Sequence, residues 1–86
     1  MRIEWSEPFQ KDFKKLSKPI QELFEEKIKL VISSRFAHPS LRIKKIKGHP
    51  HLWEGSVTMN YRFTFNKTDG GIFLRRIGTH DMLRNP

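Results

Sequence analysis

Three of the four histidines and one of the arginines lie in sequence contexts that suit proton transfer and phosphate binding. Arg62 lies in the run NYRFTF, His80 follows the apolar run IFLRRIG, and His49 and His51 share the segment GHPH. Imidazole can serve as acid or base near neutral pH, and a guanidinium group can bind two phosphate oxygens. Such groups suit RNA cleavage, in which the 2′-hydroxyl loses a proton, the leaving 5′-oxygen gains one, and cations stabilise the phosphorane.

The same four residues also have purely structural interpretations. Arg62 could form a salt bridge or lie solvated on a sheet, and His80 could hydrogen-bond the backbone where a strand stops. His49 and His51 could be ordinary loop residues, or could bind zinc together with His80, although their spacing matches no fixed zinc-ligand pattern. Residue type alone leaves these alternatives open.

Positive charge is concentrated in the second part of the chain. The formal net charge is +8; residues 1–34 carry seven Lys or Arg against six Asp or Glu, whereas residues 35–86 carry ten against three. This asymmetry favours one face made for a polyanion, which could be RNA, DNA or an acidic protein segment. The predicted phosphate contacts are Arg42, Lys44, Lys45, Lys47 and Arg76, although the lysine run is also typical of a solvated edge strand.

Length and composition limit the class of protein. Eighty-six residues favour a single domain over 1–86, too small for a deep active site. The absence of cysteine excludes disulfides, thiolate nucleophiles and zinc-finger clusters, and fits a reducing compartment. No apolar run approaches the length of a membrane span, and the N-terminus does not resemble a signal peptide. We therefore expect a cytoplasmic protein without membrane association.

Helical spacing in the first part of the chain gives way to alternation in the second. Residues 1–5 predict a short strand, and Ser6 and Ser17 each predict a helix start with a proline in its first turn. The second helix has a nearly continuous apolar stripe, interrupted only by Lys27. These two helices predict a hairpin whose apolar side needs a sheet to pack against.

The second part predicts the strands of that sheet. Leu41 and Ile43 alternate with basic residues in LRIKKI, and Tyr61, Phe63 and Phe65 alternate with polar residues around Arg62. A turn near Asn60 could divide this central segment, and TDGG predicts a tight turn before IFLRRIG. The expected fold is α+β, in the order β-α-α-β-β-β, with the helical hairpin on one face of a mostly antiparallel sheet. The other face, with Arg62, is expected to be accessible.

The run HPSLRIKKIKGHPHLWEGSVTMNYRFTF, followed by IFLRRIGTHDML, resembles the RelE/ParE superfamily of toxin–antitoxin toxins. The resemblance spans essentially the whole chain, and its most specific pieces are NYRFTF and GTHDML. It implies a small α+β toxin that inhibits translation by cutting mRNA in the ribosomal A site, against 16S rRNA, with no metal or other cofactor. It also implies a cognate acidic antitoxin that forms a hetero-oligomer with the toxin.

The resemblance also implies roles for individual residues. Arg62 matches the family arginine that binds the scissile phosphate, and His80 matches a histidine that transfers a proton in some nuclease members. His49 and His51 lie where other members carry a possible base. The chain departs from the pattern after His80, where DMLRNP lacks the aromatic of some relatives. ParE-type members inhibit DNA gyrase instead, and inactive relatives act only by binding, so the fold alone leaves these alternatives open.

Overall fold

The structure is a computed structural model that describes all residues, Met1–Pro86. Two helices cover one face of a five-stranded sheet. The strands are β1 (Arg2–Trp5), β2 (Lys44–Lys45), β3 (Trp53–Ser56), β4 (Tyr61–Thr68) and β5 (Gly71–Thr79), and the helices are α1 (Glu7–Lys14) and α2 (Lys18–Ser34). Short 3₁₀ turns cover Pro39–Leu41 and His80–Arg84. Neither helix is long and apolar enough to cross a membrane.

Both helices begin at the predicted serines. The Ser6 hydroxyl accepts a hydrogen bond from Phe9 N at 3.2 Å and donates one to Arg75 O at 3.0 Å, so it caps α1 and ties that helix to β5. Ser17 has the extended backbone of a helix cap without a side-chain hydrogen bond. Each helix has its proline in the first turn, where no backbone N–H is required.

The sheet has the strand order β1-β5-β4-β3-β2, in which only the β1–β5 pair is parallel. The predicted α+β class, the element order and the mostly antiparallel sheet are confirmed. The central alternating segment is two strands, because residues 57–60 form a turn in which Thr58 Oγ1 accepts hydrogen bonds from Asn60 N and Tyr61 N. The turn near Asn60 is therefore present, and β3 and β4 form a hairpin.

The core lies between the helices and the sheet. Phe24 of α2 packs edge-on against Phe63 of β4, with ring centroids 5.4 Å apart, and Trp5 of β1 packs against Phe9 and Phe13 of α1. Six of the seven phenylalanines belong to this core or pack against it. Aromatic side chains dominate because they bury the most apolar area that so short a chain can supply.

The opposite face of the sheet, here called the outer face, differs from the sequence prediction. It carries the side chains of Glu4, Lys44, Glu54, Ser56, Arg62, Thr64, Asn66, Phe73 and Arg76. The prediction of an accessible polar face was wrong at its centre, because Glu54, Ser56 and Thr64 are buried. The C-terminal residues fold back over it, and Thr64 Oγ1 donates to Pro86 O at 3.2 Å.

The prediction of a strand across LRIKKI was also only partly right. Leu41 lies in a 3₁₀ turn and is fully buried, and Arg42 has the left-handed backbone, with φ of 47°. Strand pairing is limited to Lys44 and Lys45. Arg42 is therefore exposed at a turn, and its orientation does not follow from strand alternation.

A β-bulge interrupts the pairing of β4 with β5. Thr64 pairs with Arg76, but the next pair is Phe65 with Leu74, so Arg75 is an extra residue. Beyond the end of β1, α1 covers the edge of β5, and the Asp12 carboxylate accepts a hydrogen bond from Ile77 N at 3.2 Å. Asp12 thereby satisfies a backbone donor that no neighbouring strand reaches.

Candidate nucleic-acid interface

Arg62 lies at the end of the β3–β4 hairpin and is half-buried. All its hydrogen bonds are donated by Nη1, to Ser56 Oγ at 3.1 Å, Tyr61 O at 3.3 Å and Thr58 O. Its Nε and Nη2 atoms form no hydrogen bond, and these two atoms make up the edge that binds two oxygens of a phosphate. The turn therefore orients the guanidinium group by one nitrogen and leaves its bidentate edge free.

His80 lies at the same end of the sheet as Arg62. The cross-strand partner of Arg62 is Gly78, and His80 follows Gly78 by two residues. It is the first residue of the 3₁₀ turn that ends β5 and is exposed. Because Gly78 has no side chain, the surface beside Arg62 is open there except for Met82, which would lie 3.5 Å from a Cβ at Gly78. The structure thus places two of the predicted residues at the same end of the sheet.

His49 and His51 are exposed in the turn between β2 and β3, at the opposite end of β3 from Arg62. The backbone oxygen of His51 accepts a hydrogen bond from Asn66 Nδ2 at 2.6 Å. Asn66 is four residues beyond Arg62 on β4, which is about 13 Å at about 3.3 Å per residue. The two histidines are therefore not adjacent to Arg62, and no three His, Asp or Glu side chains group as metal ligands.

The predicted phosphate contacts differ in whether their charges are already paired with a carboxylate of the protein. Arg42, Lys45 and Lys47 are exposed, but Lys45 lies on the helix side of the sheet, with its Nζ 5.4 Å from the centroid of the Trp53 ring. Lys44 forms an ion pair with the buried carboxylate of Glu54, with Nζ 3.1 Å from Oε1. Lys44 is therefore largely neutralised by its neighbour.

Arg76 is the predicted contact that is most fully engaged within the protein. Its Nε and Nη2 donate to the two carboxylate oxygens of Asp12, at 2.6 and 3.1 Å, and Nη1 donates to Asn85 O. The side-chain hydrogen bond to Asp12 raises the pKa of Arg76 above its ordinary value, although desolvation opposes this effect. A phosphate at Arg76 would have to compete with a bidentate carboxylate.

Two acidic side chains that sequence reasoning did not single out shape this surface. Glu54 is buried on the outer face and pairs with Lys44, and Asp12 holds Arg76 from α1. Alternation from Trp53 and Gly55 could have indicated that Glu54 shares the face of Arg62. Asp12 gave no comparable signal, because its partner lies 64 residues away in the sequence.

Comparisons with known proteins bear on the fold. The sequence matches no protein-family model and no curated protein. The structure is similar to a chain of the RelB–RelE antitoxin–toxin complex from Methanococcus jannaschii, with 23% identity over 95% of each chain and a TM-score of 0.76. It is also similar to a chain of the E. coli DinJ–YafQ toxin–antitoxin complex, with 22% identity over 95% of this chain and 94% of that one and a TM-score of 0.79.

A third similar structure is that of YoeB. The YoeB dimer from Staphylococcus aureus is 15% identical over 93% of this chain and 97% of that one, with a TM-score of 0.78. At these identities the likeness shows the fold. The protein therefore has the fold of the RelE, YafQ and YoeB structures, and the resemblance to the RelE/ParE superfamily is confirmed at the level of fold.

Proposed function

We propose that this protein is the toxin of a toxin–antitoxin pair and cleaves mRNA on the ribosome without a metal ion. The single observation that carries this proposal is the free Nε–Nη2 edge of Arg62, oriented by the β3–β4 turn next to the strand end that bears His80. The fold it shares with RelE, YafQ and YoeB structures supports the same function.

In the proposed reaction the RNA 2′-oxygen attacks the adjacent phosphorus and the bond to the 5′-oxygen breaks. A base takes the 2′-hydroxyl proton, and an acid protonates the leaving oxygen, which yields a cyclic phosphate and a free 5′-hydroxyl. Arg62 binds two phosphate oxygens and stabilises the extra negative charge of the phosphorane. His80, exposed beside it, transfers one of the two protons.

The His49–His51 turn is not assigned the second proton transfer. It lies about 13 Å along β4 from Arg62, and the bonds from Nη1 of Arg62 to the β3–β4 turn hold the guanidinium group at the other end. The two histidines are proposed instead to contact the RNA strand beyond the cleaved phosphate. The exposed Arg42 and Lys47 contact the RNA or rRNA backbone, whereas Lys45 lies over Trp53 on the other side of the sheet.

The partner in this proposal is an acidic antitoxin in the cytoplasm. The net charge of +8 is carried mostly by residues 35–86, which form the sheet strands β2–β5. Such a surface binds cellular polyanions without selectivity unless a partner covers it. Antitoxins accompany the toxins in the RelB–RelE and DinJ–YafQ complexes.

Cleavage of translated mRNA tests the site. Arg62→Ala and His80→Ala are each expected to lower the cleavage rate about a hundredfold or more, as is usual when a phosphate-stabilising group or a general acid is removed. Arg35→Ala and His38→Ala are matched controls, because they remove the same residue types elsewhere on the surface. Undiminished cleavage in both site variants, with the fold intact by circular dichroism, would refute the assignment.

Two further measurements define the reaction class. The assay is run with and without ribosomes, because the proposal requires them. Supercoiling by purified DNA gyrase is measured in parallel. Inhibition of gyrase without any mRNA cleavage would replace this proposal with the ParE-like activity.

A further inference from the structure

Phe73 differs from every other phenylalanine in the protein. The other six lie in the core or pack against it and form aromatic pairs with one another or with Trp5, whereas Phe73 does neither. It is half-buried on the outer face, between Glu4 of β1 and Asn66 of β4. An aromatic ring on a sheet face away from the core leaves a π surface open to a ligand.

The bulge in β5 places a cation beside this ring. Without an extra residue, the alternation that sends Phe73 outward would turn Arg75 outward and Arg76 toward the core. The bulge instead leaves Arg75 unpaired and exposed, and Arg76 continues the outer face. Arg76 is held by Asp12, but the only hydrogen bond of the Arg75 side chain is a long one, 3.5 Å, to Asn66 Oδ1. Arg75 is therefore the arginine of this pair that is free to bind an anion.

Neighbouring side chains fix the positions of Phe73 and Arg75 relative to the His49–His51 turn. Asn66 donates to His51 O and accepts from Arg75 Nη1, so one amide joins the turn to the bulge. The carboxylate of Glu4, next to Phe73 on β1, pairs with Arg2 at 3.2 Å, which offsets its repulsion of an anion. Phe73 and Arg75 line one open cleft of about 400 Å³, which is also bordered by Asn85 and Pro86.

We propose that this cleft binds one nucleotide of single-stranded RNA, with its base stacked on Phe73 and its phosphate on Arg75. The inference rests on the proposed function in that RNA is the substrate. A ring next to an arginine is the arrangement by which proteins hold unpaired nucleotides, since every base has a π face and every nucleotide a phosphate. A duplex does not fit, because its bases are stacked on each other. The cleft lies on the same face as Arg62, on the far side of Thr64 and Pro86.

Binding of a non-cleavable probe tests the cleft separately from catalysis. The probe is a fluorescent hexaribonucleotide with 2′-O-methyl groups, titrated with the full chain by anisotropy at low salt. Phe73→Leu, which keeps apolar bulk but removes the ring, is expected to weaken binding about tenfold. Phe73→Trp is expected to retain binding. Arg75→Ala is expected to weaken binding and to make the slope of log affinity against log salt shallower by about 0.7.

Matched controls separate stacking from charge. Lys29→Ala removes a cation from the exposed side of α2 and is expected to leave binding nearly unchanged. In a series of probes that each lack the base at a different position, removal of one particular base is expected to weaken binding to the wild type but not to Phe73→Leu. That coupling is a signature of stacking that a general loss of stability does not produce.

Several outcomes overturn the inference. The first two are that the probe does not bind measurably and that Phe73→Leu binds it as tightly as the wild type does. The third is that Lys29→Ala loses as much RNA affinity as Arg75→Ala. The fourth is that the protein binds polyglutamate through Arg75 and does not bind RNA. Cleavage that persists in Phe73→Leu with unchanged RNA affinity refutes the cleft and leaves the proposed nuclease intact. Conversely, Phe73-dependent RNA binding without any cleavage supports the cleft and refutes the nuclease.

Discussion

Arg62 uses its guanidinium group for two purposes at once. Nη1 ties the residue to the β3–β4 turn through Ser56 Oγ and the backbone, while Nε and Nη2 stay free. The structural and the functional interpretations of this arginine are therefore compatible. A side chain already fixed by one nitrogen loses little further conformational freedom when a phosphate binds to the other two, and this favours tight positioning of the transition state.

Arg62→Lys tests whether one guanidinium group both holds the turn and binds the phosphate. Lysine keeps the positive charge but is a single point donor, and it cannot hold the turn and bind two phosphate oxygens together. We expect single-turnover cleavage to fall about a hundredfold while RNA affinity changes less than threefold, because removing a phosphate-stabilising contact acts mainly on the transition state. Ser56→Ala, which removes one turn partner and keeps the arginine, should lie between the lysine variant and wild type. Full activity of Arg62→Lys would contradict the bidentate role.

At the scale of elements, α1 covers the part of the β5 edge that does not pair with β1. β1 is only four residues long, and the rest of β5 would be an open edge without α1. Asp12 closes that edge by accepting from Ile77 N and by pairing with Arg76. This contact also fixes the residues immediately before Gly78 and His80, so the position of the candidate site depends on a carboxylate in a helix.

Asp12→Ala should therefore destabilise the protein measurably. It leaves a part-buried backbone N–H and an arginine without their acceptor, which typically costs about 2 kcal/mol of unfolding free energy, or roughly 10 °C in Tm for a domain of this size. Glu4→Ala breaks the more exposed Arg2–Glu4 pair and should cost under about 0.5 kcal/mol. Thermal denaturation compares the two, and equal Tm values would contradict the role of Asp12.

The pH dependence of the difference in Tm between wild type and Asp12→Ala follows from the raised pKa of Arg76. A cation whose folded-state pKa lies above its unfolded value contributes full stability below the unfolded pKa, and loses it only as the pH rises through the folded value. For arginine that window is strongly alkaline. The difference in Tm between wild type and Asp12→Ala should therefore be the same at neutral and at moderately alkaline pH. A decline over that interval would contradict a charged Arg76 as the partner.

At the scale of the whole molecule, the excess positive charge lies mostly in the sheet layer and not in the helices. The helices belong to residues 1–34, which are nearly neutral, whereas residues 35–86 hold most of the excess positive charge. A polyanion should therefore approach the sheet side, and its attraction should depend on where a cation lies more than on the total charge.

Two double variants with the same change of charge test this asymmetry. Arg42→Ala with Lys47→Ala removes two exposed cations near β2, and Lys14→Ala with Lys29→Ala removes two from the helices. For a single-stranded RNA probe we expect only the first pair to flatten the slope of log affinity against log salt, by about 1.4. Equal slopes in the two double variants would show that the attraction is a property of net charge alone.

Local chemistry explains which features could be predicted from the sequence. Ser6 and Ser17 with their prolines, the turn at TDGG and the alternation through Phe63 and Phe65 each act within a few residues, so their elements were foreseen. The covering of Thr64 by Pro86 links residues 22 positions apart, and no periodic pattern encodes it. The different surroundings of two consecutive arginines could not be foreseen either, because alternation cannot locate a bulge: Arg76 is held by Asp12, and Arg75 is unpaired.

The pairing of β1 with β5 bears on when this protein can become active. Ser6 bonds to Arg75, 69 positions later, and Arg2–Trp5 pairs with Gly71–Leu74. Contacts this distant in sequence form late in folding, and a nascent chain lacks one partner until β5 has been made. The strand that carries Gly78 and leads to His80 is the same strand. A ribosome therefore has to complete Gly71–Thr79 before the proposed nuclease can exist, so the fold itself delays any activity until β5 has been made.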